Sequence, residues 1–133
     1  MSVLMNRKKI LTGMGLFAIH LQCPRAIEAG GTARFTVQFF HQKDGPVNPS
    51  SLTAKVYEGH RHATTIATLT PIQDQNWGGG KGAYFAEWDV PATQGSGPYT
   101  VVFNGTYVSS DDTTNTPRDI NATIGTRVTN PWR

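Results

Sequence analysis

The sequence predicts one all-β domain, an antiparallel β-sandwich of six to seven strands with an N-terminal arm. Apolar residues recur at every second position in several segments from Ala33 onward. Turn-forming residues separate these segments at regular spacing, and no long segment has helical periodicity. The chain has 133 residues, and domains usually contain about 50–250 residues, so we expect a single domain.

The first three predicted strands lie in residues 33–39, 52–57 and 62–69. Aliphatic or aromatic side chains occupy alternate positions in the first two, as expected for a sheet with one buried face. The third is rich in Thr and Ile, which favour strands. A Lys-Asp-Gly-Pro turn at 43–46 separates the first two strands, because these residue types favour turns.

The last three predicted strands lie in residues 84–90, 99–107 and 120–124. Pro91 ends the first of them, since proline has no N–H group for the ladder of hydrogen bonds. A Gly- and Pro-containing turn at 95–98 leads into the second strand. A seventh strand would come from the N-terminal segment.

Alternation also predicts the core, because alternate side chains of a strand point to the same face. Each large apolar side chain contributes about 1.5–3 kcal/mol when fully buried. The predicted core residues are Phe35, Val37, Phe39, Val56, Trp88, Tyr99, Val101 and Phe103.

The net charge of +3 lies entirely in the N-terminal segment. Residues 30–133 hold eight basic and eight acidic residues, so the body of the domain is neutral. Binding to a phosphate backbone relies on a basic surface. We therefore expect no direct contact with nucleic acid.

The N-terminal segment 1–29 has two interpretations. The basic residues Arg7, Lys8 and Lys9 precede a short apolar run, as in a secretory signal, and this run is too short to span a membrane. Ile27 occupies a position of the possible cleavage site that prefers a small residue. We therefore predict a retained arm or strand that lies against its own domain or a neighbouring subunit, with a signal peptide as the alternative.

No motif in the sequence predicts catalysis. Cys23 and His20 form the one thiol–imidazole combination, and no third group is evident to orient them. Glu87 and Asp89 are predicted on the outward face of one strand, about 7 Å apart and outside a cleft. The Gly-rich segment 78–82 contains Gly-Lys but lacks the Ser or Thr and the strand–loop–helix context of a phosphate loop. We predict that the protein is not an enzyme.

Two groups of residues have side chains that could bind a metal ion. His60 and His62 would share one face of a strand, but zinc needs at least three protein ligands. Asp111, Asp112 and Asp119 would supply only some of the six or more oxygens that calcium takes. We predict neither a metal nor a cofactor, and the single cysteine permits no intrachain disulfide.

Three segments resemble immunoglobulin-like modules of bacteria and bacteriophages. Gly-Ala-Tyr-Phe-Ala-Glu-Trp-Asp-Val-Pro at 82–91 and Gly-Pro-Tyr-Thr-Val at 97–101 resemble their E and F strands. Phe-Phe-His-Gln-Lys-Asp-Gly-Pro-Val at 39–47 resembles their first hairpin. The resemblance covers roughly residues 30–108 and implies an immunoglobulin-like sandwich. With the last predicted strand included, we place the sandwich at 30–128, with the arm before it and a tail at 129–133.

Small proteins of this kind resemble accessory structural proteins of tailed-bacteriophage virions. The resemblance implies a non-enzymatic virion protein that decorates or cements a capsid, or belongs to a neck or tail. Its partners would be other capsid, neck or tail subunits in a homo- or hetero-oligomeric assembly, with no membrane contact. The alternative is a periplasmic or extracellular immunoglobulin-like module that binds carbohydrate or protein.

Partner contacts are expected from the arm, the edges of the sheets and aromatic side chains outside the core. Exposed aromatic residues often anchor protein partners. The predicted partner-binding residues are Arg7, Lys8, Lys9, Trp77, Tyr107 and Trp132.

Overall fold

A computed structural model describes residues 16–59, 63–76, 80–110 and 113–132, with only the backbone for 16–20. Within these ranges there is no α-helix, and seven strands have five or more residues. Three shorter strands have two residues each. The strands are β1 (Leu16–Gln22), β2 (Ile27–Glu28), β3 (Thr32–His41), β4 (Gly45–Pro46), β5 (Ser50–Glu58), β6 (Thr65–Leu69), β7 (Ile72–Gln73), β8 (Ala83–Asp89), β9 (Gly97–Tyr107) and β10 (Arg118–Thr129).

The strands form two five-stranded sheets. Sheet A has the order β1-β3-β8-β7, with β4 paired to the end of β3, and sheet B has the order β2-β10-β9-β5-β6. Every pairing is antiparallel except that of β2 with β10. In immunoglobulin lettering the sheets read A-B-E-D and G-F-C-C′, with β2 beside strand G. The prediction of an all-β, immunoglobulin-like sandwich is confirmed.

The core lies between the two sheets and matches the predicted alternation. All eight predicted core residues are buried, and Phe35, Val37 and Phe39 of β3 are at most 1% exposed. Because β3 is central in sheet A, its outward-facing Thr36 and Gln38 are also largely covered, at 8% exposed each.

A tyrosine fixes the connection between β8 and β9. The buried Tyr99 donates a hydrogen bond from its hydroxyl to the carbonyl oxygen of Gly95 at 2.7 Å, four residues earlier. Gln94 donates to the same hydroxyl at 3.0 Å, and the Tyr99 ring packs on Trp88 with centroids 5.4 Å apart. This arrangement is the tyrosine corner found where strand F begins in immunoglobulin-like sandwiches.

The described part of the predicted N-terminal arm belongs to the sandwich. Strand β1 pairs with β3 along the edge of sheet A, and β2 then pairs in parallel with the end of β10 in sheet B. Cys23 and Pro24 lie between them and contact β10, because the Cys23 thiol donates to Gly125 and Thr126 donates to the Pro24 carbonyl. Residues 1–15, including the basic cluster Arg7, Lys8 and Lys9, lie outside the described residues.

One glycine holds the β3–β4 hairpin against β8. Gly82 has a φ of +79°, a region that non-glycine residues rarely adopt. A Cβ atom there would lie 2.7 Å from the Phe39 carbonyl oxygen and 3.1 Å from the Val47 nitrogen. The chain needs glycine at this position for both its conformation and its close approach to the hairpin.

Candidate functional site

An open groove of about 1010 Å³ crosses the outer face of sheet A, and we call it the sheet A groove. Strand β3 forms its floor, the end of β1 forms one side, and the segment after β7 forms the other. One row of paired residues crosses the face at this level, from Gln22 of β1 to Ile72 of β7. The lining residues are Leu21, Gln22, Cys23, Arg34, Thr36, Asp74 and Asn76.

Arg34 is the central charged side chain of the groove. Its guanidinium lies over the ring of Phe85, 3.6 Å from the centroid, a cation–π arrangement. Its nitrogens lie 3.7 Å from Asp74 and 3.6 Å from Glu87, longer than the 2.7–2.9 Å of a charge-assisted hydrogen bond. Arg34 is therefore positioned by stacking and by two loose ion pairs, and about half of its side chain stays exposed.

Asp74 enters the groove from a fixed turn. The residue is 8% exposed, and its Oδ1 atom accepts a hydrogen bond from the Asn76 backbone at 3.1 Å. Its own backbone N–H donates to Ala83 of β8 at 2.8 Å. The turn thus holds the Asp74 carboxylate in a fixed position at the side of the groove.

Cys23 lines the groove as a thiol. Burial raises the pKa of this thiol, and the sulfur donates a hydrogen bond to the Gly125 carbonyl at 3.3 Å. A reactive cysteine needs a lowered pKa, because the thiolate is the nucleophile. The side chain of His20, the predicted neighbour of this thiol, lies outside the described residues.

A second polar cluster joins the β3–β4 hairpin to the end of β9. His41 is 3% exposed, and its Nε2 atom lies 3.0 Å from the Ser109 hydroxyl. Asp44 lies on its other side, with Oδ2 3.6 Å from Nδ1. The three side chains occur in the spatial order of a Ser–His–Asp triad. No local sequence pattern indicates this order, because 68 residues separate Ser109 from His41.

The tautomer of His41 is wrong for a catalytic triad. The backbone N–H groups of Lys43 and Asp44 both donate to Nδ1, each at 3.1 Å. A neutral ring with Nδ1 as acceptor carries its proton on Nε2, so this assigned tautomer donates to Ser109. A triad histidine must instead accept the serine proton at Nε2. In this arrangement the cluster joins the β3–β4 hairpin to the end of β9.

Asp44 is the acceptor at the centre of this cluster. The hydroxyl and backbone N–H of Ser110 donate to it, and so does the Tyr107 hydroxyl at 2.6 Å. These hydrogen bonds, with that of the Ser110 side chain largest, lower the pKa of Asp44 from 3.8 to about 2. The predicted partner-binding residue Tyr107 is therefore half-buried here and bonded within its own chain.

The C-terminal tail has a fixed backbone and an exposed aromatic end. Asn130 donates its side-chain amide to the carbonyls of Ala92 and Gln94, at 3.1 and 2.7 Å. Its backbone N–H donates to the Ser96 hydroxyl at 2.7 Å, and its side-chain oxygen accepts from the Trp132 backbone at 3.0 Å. Trp132 itself is 88% exposed.

Trp77 and the ligand candidates His60, His62, Asp111 and Asp112 lie outside the described residues.

The described candidates for acid–base chemistry lie on exposed positions. Glu87 contacts Arg34, and Asp89 accepts a hydrogen bond from Thr32 at 2.8 Å, both on the outer face of sheet A. Asp119, a candidate calcium ligand with Asp111 and Asp112, lies on an exposed position of β10. Across the described ranges, no three His, Cys, Asp or Glu side chains come together as metal ligands.

In the ranges that the structure describes, no helix is long and apolar enough to cross a membrane.

Comparison with known proteins supports the fold alone. No protein-family model and no curated protein matches the chain. Among solved structures, it is similar to a ceramidase complexed with C2, with 16% sequence identity and a TM-score of 0.53. The match covers 85% of this chain but only 19% of the ceramidase chain. Together, topology and likeness establish an all-β sandwich with two sheets.

Proposed function

We propose that the chain is a non-enzymatic structural protein that docks to neighbouring subunits of a larger assembly. The specific form that the sequence resemblance favours is an accessory protein of a bacteriophage virion. The observation that carries the proposal is Trp132, a large aromatic side chain exposed on a tail whose backbone is already fixed.

Trp132 has the properties of a binding anchor. Tryptophan is enriched among the few residues that contribute most of the energy of protein interfaces. Ordering a flexible tail on binding has an entropic cost. Here the hydrogen bonds of Asn130 with Ala92, Gln94 and Ser96 already order the tail backbone before a partner binds. A partner with an apolar pocket would therefore gain the burial of Trp132 at little additional cost in tail ordering.

The edges of the sheets supply a second mode of contact. Strand β1 pairs with β3 alone, and β6 pairs with β5 alone, so each presents an unpaired backbone edge in the described structure. Exposed edges add strands from other chains unless they are covered. An assembly in which a neighbouring subunit covers β1 would remove this hazard.

Fractionation of the native source tests the proposal directly. The source is separated on a density gradient, and the chain is detected in each fraction with its intact mass. We expect it to sediment with particles and to begin at Met1 or Ser2. A mature chain that begins near Gly30 and occurs only in particle-free fractions would refute the proposal and indicate an exported binding module.

A variant pair then tests the anchor. Trp132→Ala should reduce the amount of added chain that sediments with the particles by about tenfold or more, as expected for an interface hot spot. Ile72→Ala is the matched control, because Ile72 is an exposed apolar residue of sheet A at 52% exposure. Equal sedimentation of both variants and the original chain would exclude Trp132 as the anchor.

A further inference from the structure

We propose that the sheet A groove is a binding site for a neutral oligosaccharide. This proposal does not rest on the docking function, because it depends on side chains of β1, β3 and the segment after β7 rather than on the tail. It follows from the size of the groove, the chemistry of its lining, its charge and the closed backbone of its floor.

The groove has the dimensions of a site for an extended ligand. Its volume of about 1010 Å³ lies at the upper end of the roughly 300–1,000 Å³ typical of small-molecule sites. Its lining extends from the end of β1, across the floor on β3, to the segment after β7. The sheet has four strands along this direction, about 4.8 Å apart, which gives a span of about 14 Å. The groove is open rather than enclosed, so a chain of several sugar rings can lie along it.

The lining presents planar polar groups that match sugar hydroxyls. The amides of Gln22 and Asn76 and the guanidinium of Arg34 each offer two neighbouring donors or acceptors. The mostly buried Asp74, whose Oδ1 atom already accepts from Asn76, adds its Oδ2 atom as an acceptor. Adjacent ring hydroxyls of a sugar offer the complementary pair, since each hydroxyl both donates and accepts. Leu21, which is 44% exposed, adds an apolar contact for the C–H face of a ring.

The charge of the groove favours a neutral ligand. Arg34 and Asp74 are the two charged lining residues, and their charges cancel. Glu87 lies 3.6 Å from Arg34 at the rim and makes the surroundings slightly negative. An anionic polysaccharide or a phosphate would therefore have to compete with two carboxylates for one guanidinium.

The floor offers no backbone to a peptide. An extended peptide usually binds a sandwich by adding a strand to a sheet edge, where backbone groups are unpaired. Strand β3 is paired on both sides, with β1 and with β8, so its N–H and C=O groups are already in ladders. Recognition on this floor must come from side chains, which suits a sugar better than a peptide, whereas an added peptide strand is expected at the unpaired edge of β1.

Binding is tested by NMR titration of the full ¹⁵N-labelled chain. The neutral probes are cellohexaose, maltohexaose and N-acetylated chitohexaose, each added to about 5 mM, a range that detects millimolar dissociation constants. Hexagalacturonate is the anionic probe, and a ten-residue Ser-Thr-Asn peptide is the peptide probe. We expect saturable shifts with at least one neutral probe, confined to the amides of Gln22, Thr36, Asp74 and Asn76 and their neighbours.

Two exposed wall residues provide the variants. Gln22→Ala and Asn76→Ala should each weaken binding of the active probe by about tenfold, the effect of losing one good hydrogen-bonding group. Gln42→Ala and Asn104→Ala are matched controls, because both residues are exposed and neither lines the groove. Unchanged thermal midpoints of all four variants would show that each one folds.

Several results would overturn the proposal. These are the absence of shifts with all three neutral probes, shifts that map to sheet B, tighter binding of hexagalacturonate or the peptide, or equal loss of affinity in the control variants. None of them affects the docking proposal, whose readout is the sedimentation of Trp132→Ala with particles.

Discussion

Replacement of Tyr99 by Phe isolates the energetic contribution of the tyrosine corner. The ring is 2% exposed and packs on Trp88, so the aromatic packing is retained and only the hydroxyl is removed. The hydroxyl donates to Gly95 at 2.7 Å and accepts from Gln94 at 3.0 Å. The substitution therefore breaks two hydrogen bonds and leaves no large cavity.

The magnitude follows from these two bonds. A buried hydrogen bond contributes about 0.5–1.5 kcal/mol net, and an unpaired buried acceptor costs more. Gly95 and Gln94 are partly exposed, so water can replace the lost partner at both. We therefore expect a loss of about 1–2 kcal/mol in the free energy of unfolding. For a domain of this size that corresponds to a decrease of roughly 3–8 °C in the thermal midpoint.

Urea unfolding followed by circular dichroism measures the effect. Tyr57→Phe is the matched control, because Tyr57 lies on the outer face of sheet B and is only half-buried. A surface substitution of this kind changes stability by less than about 0.5 kcal/mol. If Tyr99→Phe were no more destabilising than Tyr57→Phe, the hydroxyl bonds would not stabilise the corner and the reasoning would be wrong.

Three further predictions concern the cluster, the hairpin and the N-terminal strands. Asp44 has a pKa of about 2, below its usual 3.8, so its carboxylate stabilises the folded state above about pH 4 and less as the pH falls towards 2. In urea titrations, Asp44→Asn should therefore be less stable than the original chain at pH 6, and the difference in free energy of unfolding should shrink between pH 4 and 2. A difference that stays constant over this range would contradict the prediction. Gly82→Ala should lower the free energy of unfolding by about 2–4 kcal/mol, through backbone strain and the contact of the new Cβ atom with the hairpin. Gly59→Ala is the control: its φ is +81° but the space around it is open, so only the strain of about 1 kcal/mol should be lost. Equal urea midpoints of the two variants would contradict the contribution of the contact. A chain that begins at Gly30 lacks β1 and β2 and leaves the edge of β3 unpaired. It should therefore aggregate in size-exclusion chromatography or lose cooperative unfolding in circular dichroism. A stable monomer would contradict this prediction.

Period-two alternation predicted most of the sandwich, because burial of one face is a local property of each strand. In β8, the inward Trp88 and the outward Glu87 lie where alternation places them. The predicted last strand, 120–124, extends in the structure from Arg118 to Thr129. Polar residues at both ends of the strand interrupt the apolar alternation, and one of them, Thr126, faces inward and is only 7% exposed.

The two-residue strands β2, β4 and β7 were not predicted. Each exists because its backbone meets a longer strand, such as Ile72 opposite Phe85, and two residues cannot carry a periodic signal. The third predicted strand, 62–69, is shorter in the structure, where β6 begins at Thr65. Its Thr-rich composition predicted the strand but not the point where pairing with β5 starts.

The polar sites could not be predicted from the sequence. Asp44 and Tyr107 are 63 residues apart, and Arg34 is separated from Asp74 by 40 positions, so no local pattern joins either pair. The sequence predicts Tyr107 as a partner contact because it is an aromatic residue outside the predicted core. Its hydrogen bond to Asp44 of the β3–β4 hairpin depends on how the two sheets pack, which no local pattern contains.

The parallel pairing of β2 with β10 has a mechanical consequence. The pair joins Ile27 to Val128 and Glu28 to Thr129. When Ile27 and the C-terminal tail are pulled apart, these two parallel strands slide along each other, so their hydrogen bonds bear the load together rather than opening one by one. The Ala29 N–H donates a further bond to the Thr129 carbonyl at 3.0 Å. Tension applied between the connection that precedes β2 and the tail would therefore load this short ladder of sheet B in shear.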